Sequence, residues 1–429
     1  MFDWGSGAVR RRRRQVKCTV GVGGGGDGGE CIVYPRLSGS AIAVAELGGL
    51  SCGTTCGIVA AAIAALPGWA DASLVIAICT AGMMAGSVFV GILADSFGRV
   101  RAMTSGAGAI ALSSAFVLHG SWGALMFGRF LQGVGVGVLL AVVPMYLSES
   151  LSDDRRKRGV ALFQLFSLIG TICGAFVGLL LTAGLRGGPW LWRILLATPA
   201  VVALLFGAGT LIGLKPVDRG RTERTKWGLH VFKELLSKEN RRSFAVAVVV
   251  AALVSALAAG PIRNLAVRMV QDIGLKGLGS NGVDVAIQSV ALIATLVAVG
   301  IVNRLGTRGL LLVGVGGVLL SFVATAIAYA CWCRWLAVAS LVTFSAAFNF
   351  GPGVGVYLVI NEMLPDRIRA VGVSVALLAN HAVSVTVAAL FMPCVASLGY
   401  PAVFLTLAAF ATLLWMVVRF CLPRTPAIR

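Results

Sequence analysis

Twelve apolar stretches follow one another along the chain, near 41–65, 73–94, 102–119, 122–147, 160–183, 192–214, 243–270, 283–302, 309–331, 335–361, 370–396 and 401–421. A helix needs about 20 predominantly apolar residues to cross the hydrocarbon core of a bilayer. The runs are continuously apolar and do not alternate with a period of two. Transmembrane helices are therefore predicted, and a β-barrel is not.

The longest polar interruption, residues 215–242, divides the spans six and six. Its 28 residues hold nine basic and four acidic side chains, a composition suited to amphipathic surface helices. The predicted architecture is an all-α polytopic membrane protein of twelve transmembrane helices in two six-helix bundles. A basic, Gly-rich tail (1–40) precedes the first bundle (41–214). The loop (215–242), the second bundle (243–421) and a short tail (422–429) follow. A weak internal repeat supports the division: DSFGRVR (95–101) follows the second span and NRLGTRG (303–309) follows the eighth. Parallel halves of this kind are a transporter plan, with substrate held between them near mid-membrane.

Composition closes off the soluble alternative. The 429 residues are 58% hydrophobic and 12% charged, and the mean hydropathy is +0.91. The net charge of +19 could suggest nucleic acid, but its placement argues otherwise. With a cytoplasmic amino terminus, 29 of the 36 basic residues fall on the cytoplasmic side, and only Arg186, Arg193, Lys276 and Arg334 fall opposite. That bias follows the positive-inside rule and puts both termini in the cytoplasm. Anionic lipid is the expected contact of the basic surface. Arg10–Arg14 lead into VGVGGGGDGG (20–29), which reads as a flexible linker without a signal peptide. A plasma-membrane location and a monomer are expected. No nucleophile, metal-ligand spacing or nucleotide loop is visible in the sequence, so neither a cofactor nor enzymatic chemistry is expected.

Against this apolar background each polar group in or beside a span needs a partner or a task. Asp95 and Arg99 can pair across the short loop after the second span. Glu149 and Arg158 flank the next loop on that side, and Glu362 and Arg369 hold the matching place in the second half. Gln164 lies inside the fifth span, where an uncharged amide can donate to and accept from hydroxyls; a helix–helix hydrogen bond is the other reading. Arg263 and Arg268 lie in the seventh span. They reach the outer headgroups, or they face a water-filled cavity and bind an anionic solute.

Several motifs carry a family resemblance. GILADSFGRVR (91–101) resembles the loop signature of the major facilitator superfamily. GRFLQGVGVG (128–137), VPMYLSE (143–149), Arg158-Gly159, Gln164, Trp192-Arg193 and GPGVGVYLVINEMLPDRIR (351–369) resemble its sugar porter branch. The resemblance implies the major facilitator fold and transport of a hexose-like sugar or a polyol by alternating access. It implies that Asp95, Arg99, Glu149, Arg158, Glu362 and Arg369 form salt bridges tying the halves together while the pathway faces outward. It makes Gln164 a sugar ligand, joined in the second half by Asn349 and Asn380. Tyr357 stands where sugar porters carry a tryptophan, and His381 follows Asn380 where they carry another.

The sequence also departs from that branch. The seventh-span Gln-Gln-Leu-Ser-Gly-x-Asn signature is replaced by ALVSALAAGPIRNLAVR (252–268), in which Asn264 is the candidate for its asparagine. The eighth span lacks the family's asparagine near Ala291, with Gln288 about one turn away. In the first span, Thr55 stands where proton-coupled sugar porters carry an aspartate paired with the arginine of the fourth span, here Arg129. Glu46 is nine residues earlier, about 13 Å along a helix, too far to substitute. Facilitated diffusion is therefore expected. Proton-coupled symport, an organic-anion carrier and a non-transporting sugar sensor are the alternatives.

Overall fold

A computed structural model describes residues 15–17, 32–34, 39–68, 70–150, 153–185, 188, 190–214, 236–237, 240–275, 278–364 and 366–422. Within the helices, the side chains of residues 39–41, 89–96, 148–150, 153–161, 164, 278, 303, 357, 361–362, 366–371 and 373–374 lie outside the description. The predicted loop 215–242 and both tails fall largely outside it. In the amino-terminal tail, β1 (Gln15–Lys17) pairs antiparallel with β2 (Ile32–Tyr34).

The spans form where the apolar runs predict them. The first half contains α1 (Gly39–Gly57), α2 (Val59–Ala64), α3 (Ala72–Phe97), α4 (Arg99–His119), α5 (Trp122–Ser150), α6 (Asp153–Gly184), α7 (Leu191–Ala197) and α8 (Pro199–Gly213). The second half contains α9 (Arg241–Ala256), α10 (Ala259–Asp272), α11 (Leu278–Ala330), α12 (Arg334–Phe350), α13 (Pro352–Met363) and α14 (Asp366–Cys421). Among the described residues ten apolar helices are long enough to cross a membrane, and the shorter Ala72–Val88 adds another. The longest of the ten is broken at Gly399, which brings the crossings to twelve.

Local chemistry sets several ends. Asp71 caps α3, its carboxylate accepting from the backbone N–H of Ser73 at 2.8 Å and of Leu74 at 3.3 Å. Gly98 (φ 89°, ψ 156°) ends α3 and turns the chain into α4. Four crossings are each built from two helices: α1 with α2, α7 with α8, α9 with α10, and α12 with α13. The seventh breaks at Ala258, a left-handed residue with φ 56°. The tenth breaks at Gly351 (φ −111°, ψ −83°), and Pro352 opens its second piece. Pro fits a helix's first turn, where its missing N–H costs nothing.

Small residues let the helices of the first half touch at backbone distance. A methyl group on Gly53 of α1 would fall 1.9 Å from the carbonyl oxygen of Ser167 on α6. Gly82 of α3 lies equally close to the backbone of α5, and Gly133 of α5 to that of α3. Tight backbone approach is how helices gain packing where lipid supplies no hydrophobic driving force.

The two halves meet unequally at their two ends. One core cluster runs through both, joining Ile58–Ile63, Val75 and Leu191–Leu196 of the first half to Leu257–Ile273 and Tyr329 of the second. The other, built on Ala45, Met103, Val142, Tyr146 and Phe206, stays within the first half. Among the described residues the shared cluster joins the halves where α2 packs on α10, and α3 with α14 and α6 with α11 also pack across.

Candidate functional site

The breaks in the seventh and tenth spans open a cavity of about 220 Å³ within the second half. Discontinuous helices are where transporters place their binding groups, because the interrupted backbone lines a cavity and does not face lipid. Ser255, Ala259, Gly260 and Arg263 come from either side of the Ala258 break. Phe344, Ser345, Phe348, Asn349 and Gly353 come from either side of the Gly351 break, and Asn380 and Ser384 from α14. A cavity of roughly 150 Å³ already holds a benzene ring. This one has room for a six-membered ring bearing substituents.

The polar groups in its wall are fixed by backbone carbonyls of their own or neighbouring helices. Asn349 donates its amide to the carbonyl of Ser345 at 2.9 Å, and Asn380 donates to the carbonyl of Ala251 at 2.8 Å. Ser345 donates to the carbonyl of Ile287 at 3.0 Å. Each amide keeps its oxygen and a second N–H for a ligand. Phe344 and Phe348 lie with ring centroids 5.9 Å apart and give the wall an apolar, aromatic side. The result is an amphipathic wall in which amides and hydroxyls stand beside aromatic rings, a mixture suited to the hydroxyls and C–H faces of a sugar ring.

Of the residues singled out by sequence, Asn349 and Asn380 meet in this wall. Asn264 and His381 are half-buried neighbours of wall residues and do not line it. Gln288 is buried one turn from Asp284, to whose carboxylate it donates at 3.2 Å. Arg99 is buried at the start of α4. The side chains of Gln164, Tyr357, Asp95, Glu149, Arg158, Glu362 and Arg369 lie outside the described residues. Arg263, for which the sequence allowed either headgroups or a cavity, is in the cavity wall; Arg268 is not.

In the first half, Arg129 is 2% exposed and still has no acidic hydrogen-bond partner among the described residues. It donates to the side-chain oxygen of Gln132 and, at 3.5 Å, to the carbonyl of Val75. Gln132 in turn donates to the carbonyl of Leu196 at 3.3 Å, so the knot ties α5 to α3 and α7. Thr55 gives its hydroxyl to the carbonyl of Ser51 in its own helix at 2.8 Å. Sequence reasoning passed over Gln132, although it lies in GRFLQGVGVG three residues after Arg129, the spacing at which helical side chains meet. It also passed over Asp284, which a four-residue spacing pairs with Gln288. Glu46 is buried, and neither carboxylate oxygen has a hydrogen-bond partner among the described residues.

The family model described as Major Facilitator Superfamily matches residues 58–385. The chain belongs to that superfamily. Among curated members it is 26% identical over 383 residues to the plastidic glucose transporter 4 of Arabidopsis thaliana, covering 81% of this chain and 68% of that protein. It is 25% identical over 410 residues to polyol transporter 5 of the same plant, covering 79% and 74%. Among solved structures it resembles a D-xylose-proton symporter with a TM-score of 0.79 at 18% identity, covering 90% of this chain and 98% of that one. A nucleoside transporter, NupG, aligns with a TM-score of 0.70 at 14% identity, covering 89% and 99%. These likenesses establish the major facilitator fold and an integral, multi-pass membrane protein. As a member of a transporter superfamily, the chain is a transporter and not an enzyme.

Proposed function

We propose that the protein carries a monosaccharide or a related polyol across the membrane by alternating access and facilitated diffusion. The observation that carries this reading is the second-half cavity, whose wall holds the amides of Asn349 and Asn380 together with the rings of Phe344 and Phe348. Uncharged amides exchange donors and acceptors with hydroxyls, and an aromatic face covers the ring's C–H surface. The glucose and polyol transporters among its relatives support the same class of cargo.

In this reading Gln164 supplies the first-half ligand and Tyr357 covers the cargo. Asn264, Gln288 and His381 form the layer around the wall. Asp95, Arg99, Glu149, Arg158, Glu362 and Arg369 latch the cytoplasmic ends of the halves in the outward-facing state. Such ion pairs must be modest, since a pair favouring one state by several kcal/mol would trap it. Thr55 in place of a carboxylate, with Arg129 held by Gln132, supports uncoupled movement. Both termini are cytoplasmic, the protein is a monomer of the plasma membrane, and its basic loops rest on anionic lipid.

Equilibrium binding of labelled glucose and sorbitol to purified protein tests the site. Asn349→Ala and Gln164→Ala should each weaken binding by about tenfold, the loss of roughly one good hydrogen bond to a buried ligand. Unchanged affinity in both variants, with protein that remains monodisperse, would place the site elsewhere.

A further inference from the structure

Arg263 is the one charged side chain in the described wall of the cavity. Its Nε is buried and has no hydrogen-bond partner among the described residues. A guanidinium offers five donors in a rigid fork, and a wall of amides, hydroxyls and phenyl rings does not answer that geometry. Ala259 and Gly260, in the first turn of α10, line the same side of the cavity. First-turn N–H groups have no acceptor within their own helix, and the helix dipole adds partial positive charge there. Two independent features thus turn positive, donor-rich surface toward one end of a cavity whose other walls suit a hydroxylated ring.

Asp284 is the buried acid on α11 near Arg263. It is 2% exposed, receives the amide of Gln288 at 3.2 Å, and does not line the cavity. Among the described residues it makes no direct ion pair with Arg263.

Building on the reading above, we propose that the preferred cargo is a sugar acid, an aldonate or uronate. Its carboxylate lies on Arg263 and the start of α10, and its hydroxyls reach Asn349 and Asn380. A hydroxyl can accept one hydrogen bond from a guanidinium. A carboxylate matches its paired N–H groups and its charge together. A simple anion would use that end alone and leave the amides and rings without a partner.

Calorimetric binding of gluconate, glucuronate, glucose and acetate to the purified full-length protein at neutral pH separates these cases. The expected result is that a sugar acid binds at least about tenfold tighter than glucose, as a charge-assisted bond to a carboxylate implies. Arg263→Gln should abolish that preference. Arg263→Lys should keep part of it, and Arg268→Gln, outside the wall, should keep all of it. Glucose binding as tightly as the acids, or a preference that survives Arg263→Gln, overturns the sugar acid and leaves sugar transport standing. Acetate binding as tightly as gluconate overturns it in favour of a simple anion site. If neither sugars nor sugar acids bind, the sugar reading itself fails.

Discussion

Gly98 and Gly306 share one backbone conformation, φ 89° and ψ 156° at the first and φ 68° and ψ 162° at the second. They are the same position of the two repeats, DSFGRVR and NRLGTRG. The acid of the first copy is an asparagine in the second, yet the turn between paired spans is kept. That region of backbone space is almost closed to residues with a Cβ. Gly98→Ala and Gly306→Ala should each cost about 1–3 kcal/mol, read as a lower melting temperature of the solubilised protein. No Cβ clash accompanies the change at Gly98, so a loss of stability there isolates backbone strain. An unchanged melting temperature would mean the turn relaxes freely.

The knot at Arg129 makes a second prediction. Gln132→Leu removes the acceptor of a buried guanidinium and the donor to Leu196 at once. Leaving a buried donor unpaired costs about 1–3 kcal/mol, more when it is charged. Folded protein recovered after solubilisation should fall, and Gln132→Glu, which restores an acceptor, should recover it. Wild-type stability in Gln132→Leu would show that another group takes over Arg129.

Coupling is a separate matter. Arg129 has Gln132 where a proton-coupled relative would have a carboxylate, so uptake into proteoliposomes should be indifferent to an imposed pH gradient. The buried acids Glu46 and Asp284 supply the control. If a gradient does drive accumulation, Glu46→Gln and Asp284→Asn identify which acid moves the proton, and the uncoupled reading is wrong.

The sequence made the spans legible because lipid imposes one rule on every residue of a crossing helix. The resemblance to sugar porters also pointed to Asn349 and Asn380, the second-half amides at matching positions. What it left open depends on contacts between helices. Arg263 and Arg268 are five residues apart in one span and looked alike in sequence. Only the break at Ala258 and the packing of the tenth and eleventh spans turn the first into the cavity. Gln132 and Asp284 escaped notice for a different reason. Each is polar at a plausible place, and its role emerges from a partner one helical turn away and from burial by neighbouring spans. The predicted latch and Gln164 rest on their motifs alone, because their side chains lie outside the described residues.

The central claim is that the second-half cavity holds a hydroxylated cargo while it crosses the membrane. Uptake of radiolabelled sugars, polyols and sugar acids into proteoliposomes tests it most directly, with wild-type protein compared against Asn349→Ala/Asn380→Ala. The account predicts saturable uptake of at least one of these solutes by the wild type. The double variant should lose about two orders of magnitude of apparent affinity, near 1.4 kcal/mol for each tenfold step. Saturable uptake untouched by the double substitution, or no uptake of any hydroxylated solute by folded wild-type protein, would contradict it.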